Sequence, residues 1–276
     1  MERTLVAAAV AFVLVLLGVG VRDAPAASST VCTGEIQGPV TITGKLLAGP
    51  GCFLNSEVVV NGDVVVMRGG SFGADESTIN GDVVVMKGGS FGVDFSTING
   101  DVTSHGGTSV GVGHGVIVYG DVEIVGSTES AEAFRSDIEG NLLLTKNLGV
   151  VRAQGAGVAG NMKVTQNTGG TYLTNNSVNG DLDIRNNRGD LQVLPQDWHV
   201  GGDMDVRNNR GNIVLNLGHV HGNLDIRSNR GGVELNDTTI SGILDCRNNR
   251  PPVTLLGLNT AVTAKGECTG VPTPTG

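Results

Sequence analysis

Apolar residues in this chain alternate with polar ones in short runs, and the runs recur about every twenty residues. The clearest pair is 62–80, GDVVVMRGGSFGADESTIN, and 81–99, GDVVVMKGGSFGVDFSTIN, which differ at three of nineteen positions. A looser form of the unit is marked by Gly44, Gly62, Gly81, Gly100, Gly120, Gly140, Gly160, Gly180, Gly202, Gly222 and Gly242, at steps of 18 to 22 residues. With the marker glycine as zero, aliphatic residues fill +2 (Val64, Val122, Leu182, Leu224) and +4 (Val66, Ile124, Ile184, Ile226). Others fill −2 (Ile79, Val178, Val220) and, in later units, +11 and +13 (Leu191 and Val193, Ile213 and Leu215). Period two with many β-branched side chains predicts strands that turn one face inward. A helix would need apolar residues three and four apart and far fewer glycines and asparagines.

Each unit therefore holds three short strands: one before the marker glycine, one from about +1 to +5, and one around +10 to +14. A unit this short cannot bury its own apolar edge, so successive units must stack. The pattern predicts an all-β solenoid, a single-stranded parallel β-helix of about 11 coils of 18–22 residues, each coil about 4.8 Å above the last. A narrow interior suits small side chains, and the chain has only one tryptophan, two tyrosines and six phenylalanines beside 44 glycines. A glycine at each corner allows a sharp bend or a positive φ. A β-sandwich is the rival architecture, but hairpin pairing imposes no constant step.

Position +7 carries Asn147, Asn167, Asn187, Asn209, Asn229 and Asn249, followed two residues on by Gly149, Gly169, Gly189, Gly211 and Gly231. Stacked asparagines can pass amide hydrogen bonds from coil to coil while satisfying the backbone of a turn. In this feature residues 140–255 resemble the secreted bacterial right-handed parallel β-helix proteins; residues 58–139 share only the glycine and valine pattern. The resemblance implies the architecture and its right hand. It implies no activity, because that class includes lyases, hydrolases, adhesins and structural proteins.

The ends carry different signals. A charged start, an apolar run from Leu5 to Val21 and Ala24-Pro25-Ala26 predict a secretory signal peptide over 1–26. A permanent anchor is the other reading, though the run is short for a span. The cap and first coil then occupy 27–57, the repeats 58–257, and a C-terminal cap with a short polar tail 258–276. Without an apolar tail or sorting motif at its end, the mature chain is expected to be secreted, extracellular and free of the membrane. The four cysteines lie only near the ends, Cys32 twenty residues from Cys52 and Cys246 twenty-two from Cys268. Bridges Cys32–Cys52 and Cys246–Cys268 would staple neighbouring coils, whereas the other pairings would have to span the rod. Free thiols are the alternative, less suited to an exported chain.

Lys+Arg 18 against Asp+Glu 27 gives a net charge of −9, which argues against a nucleic-acid partner. In the later coils the charges form columns: Asp183, Asp205, Asp225 and Asp245 at +3, Arg185, Arg207, Arg227 and Arg247 at +5, and Arg188, Arg210, Arg230 and Arg250 at +8. The plain reading is a solubilising surface of self-compensated charge. The sharper one is a Ca²⁺-dependent polysaccharide lyase, similar to secreted pectate-type lyases. Asp183, Asp205 and Asp225 would hold the ion, and Arg207 or Arg227 would act on a uronic acid. Such enzymes wall a cleft with long insertions, and steps of 18 to 22 leave none. The expected function is an exported, non-catalytic structural or surface-interaction protein that contacts cell-wall or extracellular polysaccharide. No catalytic residue and no cofactor are assigned.

Three further features are candidates for contact. Trp198, in the one unit with two extra residues, reads as a protrusion, or else as a ring packed flat on the coil edge. His199 and His219 share position −3 and His221 lies two residues on, a transition-metal candidate without a spaced cysteine or glutamate to complete it. In the first coils Val65, Val84, Met67 and Met86, beside turns carrying Phe72 and Phe91, predict an outer apolar strip, either a partner surface or the seat of a lid. Ser104, where an inward aliphatic belongs, predicts a looser coil.

Overall fold

The structure is a computed structural model that describes residues 29–194, 198–216 and 218–273; the segment 1–26, expected to be a signal peptide, lies outside the described residues. Thirty-five strands follow one another with no helix among the described residues, so no helix there is long and apolar enough to cross a membrane. A typical coil runs Leu182–Arg185, Leu191–Leu194, His199–Val200, and the next Met204–Arg207, Ile213–Asn216, His219–Val220. Each strand pairs in parallel with its equivalent one coil on: Leu182 with Met204, Leu191 with Ile213, Val200 with Val220.

The second strands build a 12-stranded sheet, and the first and third strands a 23-stranded one. The two ladders of the larger sheet merge where Thr239–Arg247 runs without a break through the corner. The protein is thus an all-β parallel β-solenoid of roughly a dozen coils, consistent with the β-helix resemblance. The extra coil begins at Ser29–Cys32, which pairs with Lys45–Ala48; it precedes the first marker glycine, so the glycine count misses it. At the other end Thr260–Gly266 pairs with Thr239–Arg247, so the C-terminal cap is itself built on a strand.

Alternation supplies the core. Leu182, Ile184, Leu191, Val193 and Val200 are each 0–1% exposed, and their equivalents repeat them up the rod. The Phe72 and Phe91 rings turn inward, 3% exposed, and stack at 5.9 Å, so they do not belong to the outer apolar strip. Val65 is also buried, leaving Val84 (38% exposed) and Met86 (47%) at the surface with Met67 half-buried. Ser104 points inward, and its hydroxyl has no hydrogen-bond partner. Both bridges are present, Cys32–Cys52 and Cys246–Cys268, with Cα–Cα distances of 5.3 and 5.4 Å.

The marker glycines have a different cause from the expected one. Of the eleven, only Gly44 has a positive φ. The others are glycine because the preceding coil comes too close: a Cβ on Gly120 would lie 2.1 Å from Asp101 Oδ1 and 2.7 Å from the Gly100 carbonyl. The +9 glycines obey the same rule, since a Cβ on Gly189 would sit 2.2 Å from the Gly169 carbonyl.

Candidate functional site

The turn joining the first strand of each later coil to the second is governed by the residue at +7. From Asn147 to Asn249 it is buried, 0–4% exposed. Asn167 N–H donates to Asn187 Oδ1 at 2.9 Å, Asn187 N–H to Asn209 Oδ1 at 2.9 Å, and Asn209 N–H to Asn229 Oδ1 at 3.0 Å. Each Nδ2 also donates to the +4 carbonyl of the coil before, Asn187 to Val164 O at 2.8 Å and Asn209 to Ile184 O at 3.0 Å. Two groups that the spacing does not reveal close the column. Ser127 N–H donates to Asn147 Oδ1 at 2.9 Å. At the far end Asn249 donates through N–H and Nδ2 to the Glu267 carboxylate, at 2.9 and 3.0 Å; Glu267 precedes the bridged Cys268, and its N–H donates to Cys246 O at 2.8 Å.

Turning +7 inward sends +6 and +8 outward. Residues at +6 take left-handed backbone, with φ 60 at Gln166 and Asn186 and 57 at Asn208, a conformation asparagine tolerates best among non-glycine residues. The two columns form the edges of a shallow groove along six coils, with a volume of about 1310 Å³. One edge is Lys146, Gln166, Asn186, Asn208, Ser228 and Asn248, and the other Leu148, Thr168, Arg188, Arg210, Arg230 and Arg250. The arginines are tied to the ladder through their backbone: Arg188 N–H donates to Asn167 O at 2.8 Å and Arg210 N–H to Asn187 O at 2.9 Å. Among the described residues none of these four guanidiniums pairs with a carboxylate.

The neighbouring columns behave differently. Each +3 aspartate pairs with the arginine two residues on in its own strand: Arg207–Asp205 at 2.8 Å, Arg247–Asp245 at 2.6 Å, and the closer pairs Arg185–Asp183 and Arg227–Asp225. The second oxygen, Oδ1, of Asp183, Asp205, Asp225 and Asp245 is buried without a partner. Burial raises the Asp225 carboxyl above its ordinary range; Arg227 opposes the rise, and Asp205 and Asp245 add to it. The carboxylates proposed to hold Ca²⁺ are thus engaged by guanidiniums, and among the described residues no three His, Cys, Asp or Glu side chains are placed to hold a metal ion together.

A second ladder runs beside the marker glycines. From Gly62 to Gly222 the Asp or Asn after the marker glycine accepts the N–H of the equivalent residue one coil on, as in Asp101 N–H to Asp82 Oδ1 at 2.9 Å and Asn223 N–H to Asp203 Oδ1 at 2.7 Å. The recurring Gly-Asp and Gly-Asn pairs were its signal.

His199, His219 and His221 do gather, with ring centroids 4.5 Å (His199–His221), 4.2 Å (His219–His221) and 6.4 Å (His199–His219) apart. Burial, then the neighbouring His221 and His199, lowers the His219 pKa, and its Nε2 meets Ser241 Oγ at 2.8 Å. Trp198 is not a protrusion. It is 1% exposed and its indole N–H donates to Leu173 O at 3.3 Å, so it offers no ring to a partner. It stands at the inward corner where the previous coil has Asn176, whose Nδ2 donates to Ala153 O at 2.8 Å. Compared with protein-family models, curated proteins and solved structures, the chain matches none of them.

Proposed function

We propose that this protein is an exported, non-catalytic scaffold whose turn face contacts cell-wall or extracellular polysaccharide. The observation that carries the reading is the groove: a straight channel of about 1310 Å³, edged by amides, hydroxyls and guanidiniums and held at fixed intervals by a buried ladder. Such a surface suits an extended polymer better than a compact small molecule, which needs a concave and largely enclosed pocket. Preorganised donors in register also limit the ordering cost of binding.

The test is sedimentation of the mature protein with insoluble cell-wall polysaccharides, run beside an ultraviolet assay for unsaturated uronate products with and without Ca²⁺. Retention without product formation is expected. Turnover that Asp205→Ala abolishes while the β-sheet signal persists would establish the lyase instead, and absence of retention on every polymer would remove the binding role.

A further inference from the structure

We infer that the Arg188–Arg210–Arg230–Arg250 edge of the groove binds an acidic polysaccharide, a linear glycan with a carboxylate or sulfate on its sugars, laid along the rod axis. The inference rests on the function proposed above and narrows it to one polymer chemistry. Charge is the first ground. The chain carries a net −9, yet Lys146 and the four arginines line the groove with no acidic residue among its lining. The +5 arginines, three residues earlier in each coil, each have an aspartate; among the described residues the +8 arginines have none. Like charges held one strand spacing apart repel, and a polyanion relieves that repulsion while releasing its own counterions.

Spacing is the second ground. The backbone N–H of each arginine is fixed to the asparagine ladder, at 2.8 Å for Arg230 to Asn209 O and for Arg250 to Asn229 O. Successive guanidiniums therefore rise by about 4.8 Å, close to the advance of one pyranose ring with its glycosidic oxygen in an extended glycan. Each sugar can present one anionic group to one planar guanidinium fork. The opposite edge supplies Asn186, Asn208 and Ser228 at the same pitch, donors and acceptors for sugar hydroxyls. Among the described residues no aromatic side chain lines the groove, so single-stranded nucleic acid would find no platform there for its bases.

The experiment measures binding of the full mature chain to polygalacturonate, dextran sulfate, neutral dextran and a single-stranded oligonucleotide, at low and high salt. A double variant, Arg210→Ala with Arg230→Ala, and its lysine counterpart are compared, both at exposed positions and with folding checked by circular dichroism. The expected result is salt-sensitive binding of the two acidic glycans, preferred over both other probes, weakened about tenfold or more by the alanine pair and partly restored by the lysines. Polygalacturonate above dextran sulfate identifies carboxylate as the recognised group, and the reverse identifies sulfate. Wild-type binding by the alanine pair, equal binding of neutral dextran, or preference for the oligonucleotide would overturn the inference. Retention on insoluble wall material that survives the alanine pair would overturn it while leaving the scaffold function intact; loss of all retention in the wild type would overturn both.

Discussion

At Asn209 a single side chain makes four hydrogen bonds. Its Oδ1 accepts from the backbone N–H and Nδ2 of Asn187, at 2.9 and 3.0 Å, and its Nδ2 reaches Ile184 O and Asn229 Oδ1, at 3.0 and 3.1 Å. Removing it strands buried groups in two neighbouring coils. Asn209→Ala is therefore expected to cost about 1–3 kcal/mol, read as a lower urea midpoint at unchanged slope; a near-neutral result would mean that water reaches the column. These asparagines were legible in the sequence because one residue type recurs at one position in six successive units. Trp198 was not legible. Its corner position holds Ser, Val, Ala, Asn, Gly and Thr in other coils, so no column announces that an indole N–H is standing in for an amide.

Strands and corners differ in how they constrain a substitution. A Cβ on Gly202 would meet Asp181 Oδ1 at 2.2 Å, whereas one on Gly92 would meet nothing within 4 Å. Gly202→Ala must push two coils apart or break a rung of the second ladder, at about 1–3 kcal/mol. Gly92→Ala is expected to be neutral or slightly stabilising, because it restricts the unfolded chain without a clash. Paired thermal melts of the two variants check this, and equal losses would refute the close-approach explanation. The strands themselves were readable from period-two alternation, which is a direct imprint of burial. The exposed ladder after the marker glycines was not, since Gly-Asp and Gly-Asn are also ordinary turn chemistry.

Over the whole rod each coil touches only its neighbours, and the two bridges lie at opposite ends. Deleting residues 222–241 would bring Asp205 over Asp245 and Asn209 over Asn249, partners already matched in kind to the pairs they replace. The shortened chain is expected to fold with both disulfides, a rod shorter by about 4.8 Å and one arginine fewer in the groove. Small-angle scattering and non-reducing peptide mapping would detect it, and loss of the β-sheet signal would show that stability is not a sum over neighbouring coils. The near-identity of 62–80 and 81–99 has a genetic counterpart. In-frame copying of one unit sets every strand against its own twin, Val64 against Val83, Phe72 against Phe91, Ile79 against Ile98, so a newly duplicated stretch of gene arrives with its interface already solved. Length in such a molecule can be inherited in whole steps, and a surface column can be lengthened by copying before any new residue is selected.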